Sequence, residues 1–124
     1  MPAPQCLNLA EKLAVIREAW SPRIVGELNG QFVKLAWFEG EYVWHHHADE
    51  DELFLVIEGE IEIHFRDRVV TLREGECCIV PHGVEHKPVA KSRAGVLLFE
   101  PASTRNTGNV TESRTIEPED IQRL

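Results

Sequence analysis

The sequence predicts a mainly β protein, a small sandwich or barrel that carries one helix at its N-terminal end. Three observations lead there. Between Arg23 and Glu100, short segments with apolar residues at alternate positions follow one another, separated by turn signals at short intervals. That spacing suits antiparallel strands and leaves no room for a helix between each pair. Helical periodicity occurs in one stretch only, near the N-terminus. The chain has 124 residues, 43% hydrophobic and 27% charged, which is the size and composition of one ordinary globular domain.

Taken in order, the helix is expected over Asn8 to Trp20. Asn8 can cap it and Glu11 stands three residues on, the capping-box arrangement. Leu9, Leu13, Ile16 and Trp20 form one apolar stripe, and Ser21-Pro22 ends it, since a proline disfavours helical geometry in the residue before it. Arg23 to Leu28 and Gln31 to Phe38 flank Asn29-Gly30, a two-residue hairpin signal. Gly40 interrupts, and an extended segment resumes over Glu41 to His47. Further strands are expected at Glu52 to Ile57, Glu60 to Phe65, Arg68 to Leu72, Cys77 to Val80, Val84 to Val89 and Gly95 to Glu100. That makes roughly eight to ten short strands in all. The expected organisation is therefore residues 1–22 as a helix packed on the barrel, 23–100 as the barrel, and 101–124 as a polar tail. In the tail an ordered first part gives way to mobile last residues, and Ile116 and Ile121 can pin a short segment.

The formal charge of -8 argues against nucleic acid or an anionic membrane surface as a partner, because both reward a basic face. No apolar run approaches the ~20 residues of a membrane span, and Met1 to Cys6 lacks the basic start and apolar core of a secretion signal. A cytoplasmic protein is expected. The three cysteines, Cys6, Cys77 and Cys78, make no disulfide framework and read as reduced thiols.

The chemistry concentrates in His45-His46-His47-Ala48-Asp49-Glu50-Asp51-Glu52. In an extended chain His45 and His47 point the same way and His46 the other, so His46 is expected outside with Tyr42 and Trp44. Glu52 opens the next strand and His86 arrives much later. Two imidazoles on one face, a carboxylate and a distant third imidazole suit a divalent cation. A carboxylate among the apolar neighbours Phe54 and Val56 is costly unless paired or bound to a cation. Glu50 and Asp51 are rival carboxylates placed in a solvated turn. His64 and His82 read as exposed, one of Cys77 and Cys78 as a small core residue, and Trp37, Phe38, Phe54, Phe65 and Phe99 as core aromatics. Asn106-Thr107-Gly108 reads as an ordinary turn.

The same residues resemble the two motifs of the cupin superfamily. Gly40, His45 and His47, Glu52 and Gly59 follow the first, with four residues between His47 and Glu52 and six between Glu52 and Gly59. Gly75, Pro81, Gly83 and His86 follow the second. Gly40 stands one residue closer to the first histidine than the usual spacing, and Ala90 stands where an asparagine is usual. The resemblance covers about residues 31 to 100. It implies a double-stranded β-helix, or jelly-roll barrel, with His45, His47, Glu52 and His86 holding a divalent ion (Fe, Mn, Ni or Zn). It implies a metal-dependent enzyme of the oxygenase or isomerase type acting on a small organic molecule, or alternatively a non-catalytic module that binds a small ligand or metal. Glu52 argues against the three-histidine thiol dioxygenases, and the intact ligand set against metal-free epimerases. A homodimer is expected, paired through outer strands.

Overall fold

A computed structural model describes residues 3–124. Its order is α1 (Leu9–Ala14), β1 (Arg23–Leu28), β2 (Gln31–Glu41), β3 (Glu52–Glu58), β4 (Glu60–Phe65), β5 (Val69–Arg73), β6 (Cys77–Val80) and β7 (His86–Pro101), with a short 3-10 turn at Pro118–Asp120. The architecture is mainly β and antiparallel, as expected. Asn29 and Gly30 have φ of 52° and 78°, the doubly positive pair that a tight turn between twisted strands requires, and β1 and β2 pair from Leu28↔Gln31 onward.

The strands organise around β7. It pairs with β2 along much of its length, with β3 through its second half and with β4 through its first half. The two stretches expected as separate strands, Val84 to Val89 and Gly95 to Glu100, therefore belong to one bent strand that both halves of the barrel share. No turn residue separates them; Ala90 and Ala94 are fully buried and let the strand pass through the core. The enclosed core holds Ala36, Phe38, Phe54, Val56, Ile61, Ile63, Val96 and Leu98, the inward sets of alternating strands.

The helix is shorter than its apolar stripe predicts. Asn8 caps it as expected, its side chain accepting from the Glu11 amide at 3.0 Å, but α1 ends at Ala14. The indole Nε1 of Trp37 donates to the carbonyls of Leu13 (3.0 Å) and Ile16 (2.9 Å), taking up acceptors that a continuing helix would bond itself. Leu13 and Ile16 stay outside the barrel against Val25 and Leu35. Trp20 instead turns inward through φ +58°, a left-handed conformation costly for a large side chain. Its backbone amide bonds to the Trp37 carbonyl (2.8 Å), its indole Nε1 donates to the Glu39 carbonyl (2.8 Å), and its ring stacks on both Phe38 and Tyr42 at 4.5 Å.

Two further expectations change. Tyr42 is buried in the core rather than outside, because the positive φ of Gly40 (+78°) and the irregular register at Phe38/Gly40 shift the alternation beyond them. The last residues are tied down rather than loose. Ile121 packs on Ile24 and Phe32, and the Ile24 backbone exchanges bonds with Gln122 (2.9 Å) and Leu124 (2.8 Å).

Candidate metal centre

The four residues singled out by spacing come together. His45, His47, Glu52 and His86 are all buried, and one ligand atom from each lies within 4.8 Å of the others. Backbone contacts bring the two motifs into register. His45 and His86 exchange amide–carbonyl bonds of 3.0 and 2.9 Å across an isolated bridge. The His47 carbonyl accepts from the Gly83 amide at 2.7 Å. Asp51 accepts from both the backbone amide (2.8 Å) and Nδ1 (2.9 Å) of His82, bonds that hold its carboxyl below the usual carboxylate range. His82 and Asp51 thus sit outside, as expected, and fasten the turn of one motif to that of the other. His46 donates its amide to Asn109 and is not part of the cluster.

The tautomers follow from local geometry. Nδ1 of His45 lies 2.9 Å from the Val43 carbonyl and Nδ1 of His86 lies 2.9 Å from the Val84 carbonyl. A carbonyl only accepts, so each Nδ1 carries hydrogen and each Nε2 is left to face the centre. His86 Nε2 and His47 Nε2 both lie 3.3 Å from the same oxygen, Glu52 Oε1. His47 Nε2 is buried and lacks a well-aligned hydrogen-bond partner among the described residues; its 3.3 Å approach to Glu52 is proximity without donor geometry. Lone pairs of nitrogen and oxygen converging this closely in a dry site require a cation among them, a proton or a metal ion. Three nitrogens and one carboxylate oxygen fit a borderline divalent ion well.

The protonation pattern supports ligation. Burial, reinforced by the nearby His86, pushes the His45 imidazole down to about 4, so it is neutral at pH 7 with its lone pair available. Burial alone would raise the Glu52 carboxyl, but the neighbouring Glu100 carboxyl and the His47 and His86 imidazoles outweigh it and hold Glu52 well below the usual range. Glu100 moves the opposite way, raised well above the usual range by burial and by the charge of Glu52. Of these two carboxyls, Glu52 is the more acidic and Glu100 the readier to take a proton.

Spacing gave no hint of Glu100 or of its partner Lys34, which are 2% and 0% exposed. Lys34 Nζ donates to Glu100 Oε1 at 2.8 Å and to the Thr104 carbonyl at 3.4 Å. The signal was present in the alternation: Lys34 shares its face with Phe32, Ala36 and Phe38, and Glu100 shares its face with Val96 and Leu98. Residues 102–116 form an ordered strap beside the centre rather than a plain turn. Asn109 bonds the His46 backbone in both directions (3.0 and 2.9 Å), and Gly108 lies so close that an added Cβ would meet the His46 carbonyl oxygen at 2.2 Å and His45 Cδ2 at 3.0 Å.

A cavity of about 30 Å³ opens beside His45, Glu52 and Glu100, walled by Trp20, Phe38, Tyr42 and Phe54. That is room for a water molecule or two. A larger open hollow of about 730 Å³, between the N-terminal segment and β1, has no histidine in its lining. Among the described residues no helix is long and apolar enough to cross a membrane.

Comparison with known proteins agrees with this geometry. A family model described as a cupin domain matches residues 34–101. The uncharacterized protein YdbB of Bacillus subtilis (strain 168) is 41% identical over 94 residues, 75% of this chain and 83% of YdbB. A cupin-2 domain protein of Shewanella frigidimarina, known from its crystal structure, superposes with a TM-score of 0.76 at 46% identity, covering 77% of this chain and 93% of that one. A hydroquinone 1,2-dioxygenase of Sphingomonas sp. TTNP3, solved with 4-hydroxybenzoate bound, shares the fold with a TM-score of 0.65. At 20% identity over 76% of this chain and 72% of that one, this last likeness extends to the fold alone.

Proposed function

The chain belongs to the cupin superfamily, and from that premise we propose that it is a metal-dependent enzyme acting on a small organic molecule, of the dioxygenase or isomerase type. Its metal ligands are His45, His47, Glu52 and His86, and the ion is divalent iron, manganese, nickel or zinc. The observation that carries this reading is the convergence of His86 Nε2 and the otherwise unpartnered His47 Nε2 on Glu52 Oε1, each at 3.3 Å. Held by His45, His47, Glu52 and His86, such an ion would supply polarisation of a carbonyl, enol or hydroxyl oxygen and, as iron or manganese, dioxygen chemistry as well.

The protein side chains do the rest. The Val43 and Val84 carbonyls fix the ring orientations of His45 and His86. The aromatic walls exclude water and lower the local dielectric, which strengthens each charge interaction inside. The fold neighbour with 4-hydroxybenzoate bound suggests an oxygenated ring compound as one substrate class, but the cavity of about 30 Å³ admits only the reacting end of such a molecule. That tightness favours a second reading, a metal-binding module without turnover.

Elemental analysis of purified protein, followed by oxygen uptake against a panel of enols and phenols, tests both. About one ion per chain with oxygen consumption is expected. Metal without turnover of any panel member favours the module, and no metal even after reconstitution overturns the reading.

Pairing into a homodimer through an outer strand is part of the same proposal. The apolar face of α1 is already covered within the chain, and the β1 edge is bonded by residues 122–124. Among the described residues β5 and β6 each pair on one side alone, and on the β6 edge Ile79 is 63% exposed. Sedimentation analysis should give a dimer that an Ile79→Lys substitution dissociates; a monomeric parent protein rules the pairing out.

A further inference from the structure

A lysine and a second glutamate are buried behind the candidate ligands, and nothing in the proposed ligand set uses them. A lysine and a carboxyl enclosed together in a core add little net stability over apolar side chains of the same volume, so the placement calls for another account. The strand register supplies it. Phe99 lies across from Leu53 in the β7–β3 ladder, so the next position puts Glu100 across from Glu52. In the β2–β7 ladder Glu100 lies across from Phe32, and Lys34 across from Leu98. Glu100 is therefore diagonal to Lys34 and flanked by it on one side and by Glu52 on the other. One of its oxygens takes the Lys34 ammonium at 2.8 Å. The other, buried, has no donor among the described residues, and the carboxyl lies within hydrogen-bonding reach of Glu52. Two carboxyl groups directly opposed on one face of a sheet repel unless something bridges them.

We propose that Glu100, anchored by Lys34, is the positioning residue for Glu52: it spans the gap between the two strands and fixes the carboxylate in the pose that completes the metal centre. This rests on the reading of His45, His47, Glu52 and His86 as ligands. Lys34 also reaches the Thr104 carbonyl at the base of the C-terminal strap, so the anchor is fastened to the segment that packs beside His45. The requirement is one of reach. Glutamine at position 100 keeps it, with a carbonyl oxygen to accept from Lys34 and an amide to donate to Glu52. Aspartate keeps the carboxyl and loses a methylene of length.

The experiment is a dissociation constant for Zn²⁺, by chelator competition, on the parent protein, Glu100→Gln, Glu100→Asp, Glu52→Ala and the double variant Glu52→Ala/Glu100→Asp, with thermal melts of each metal-free protein. Glu100→Gln should bind within about threefold of the parent, and Glu100→Asp about 10–100-fold more weakly, the range seen when groups supporting metal ligands are removed. In the Glu52→Ala background the aspartate substitution should cost nothing further, because the effect passes through Glu52. A pair that served only the fold would move the melting temperatures and leave the metal affinity of the folded fraction alone. A pair that served by charge would rank aspartate above glutamine. Either result overturns the proposal, as does an equal loss in the Glu52→Ala background. Should the parent protein bind no Zn²⁺, the ligand reading itself fails and this inference falls with it; a parent that binds while Glu100→Asp binds equally well removes the inference alone.

Discussion

Replacing Gly108 by alanine is expected to lower the unfolding free energy by about 3 kcal/mol and the melting temperature by roughly 10 °C. Two independent causes add. Gly108 has φ +56°, and a side chain in that left-handed region costs about 1–2 kcal/mol. The new methyl would also stand 2.2 Å from the His46 carbonyl oxygen, a backbone atom that cannot swing aside. The strap must therefore lift, and the bonds between Asn109 and the His46 backbone (3.0 and 2.9 Å) lengthen or break, at about 1 kcal/mol for a typical bond. The effect should reach the candidate centre as well, because His45 Cδ2 would lie 3.0 Å from the same methyl. Calorimetric melts of the metal-free protein, with the His45 ring resonances as a second readout, check both consequences. A loss below about 1 kcal/mol, with unmoved His45 signals, would mean that the strap yields freely and does not brace the histidine.

The two kinds of position in this molecule differ in how they announce themselves in the sequence. The ligand candidates were legible because each sits in a local pattern: a period of two puts His45 and His47 on one side, and Glu52 and His86 stand at fixed distances from the turn glycines Gly59 and Gly83. The hairpin at Asn29-Gly30 was legible for the same reason, since only certain residues accept two successive positive φ values. What depends on tertiary contact was not. The end of α1 is decided by an indole from β2 that satisfies its last carbonyls, and no local feature near Ala14 marks that. The single bent β7 was read as two strands because its central residues, Lys91 to Arg93, are exposed and polar while its pairing partners lie far away in the chain. Gly108 looked like any turn glycine, since the atom it must avoid belongs to residue 46. Lys34 and Glu100 were a different kind of omission. Each breaks an apolar face, and a charged residue on an inward face is itself a signal that a partner lies across the sheet.

The Glu100→Gln variant, metal-free, should lose about 2 kcal/mol of stability between pH 6.5 and pH 4.5, while the parent protein loses less over the same range. Two buried groups with opposite linkage explain the contrast. His45 titrates at about 4 in the folded protein, lowered first by burial and then by His86, against about 6.5 in the unfolded chain. Between those values the unfolded chain binds a proton that the folded protein refuses. The stability from His45 is therefore complete above about pH 6.5 and falls by about 1.4 kcal/mol per unit as the solution is acidified. Glu100 is raised well above the ordinary carboxylate range by burial and by the charge of Glu52. Above about pH 4.5 it is the folded protein that holds the extra proton, so its contribution improves on acidification and opposes the slope of His45. Glutamine removes that compensation without removing His45. The lowered carboxyl of Glu52 contributes stability that is lost only below its unfolded value, at the acid edge of this window, and so does not disturb the comparison. Urea titrations at pH 6.5, 5.5 and 4.5 on both proteins measure the two slopes directly. Equal slopes in parent and variant would show that Glu100 does not hold the proton assigned to it, and a flat variant would show that His45 is not buried in its neutral form.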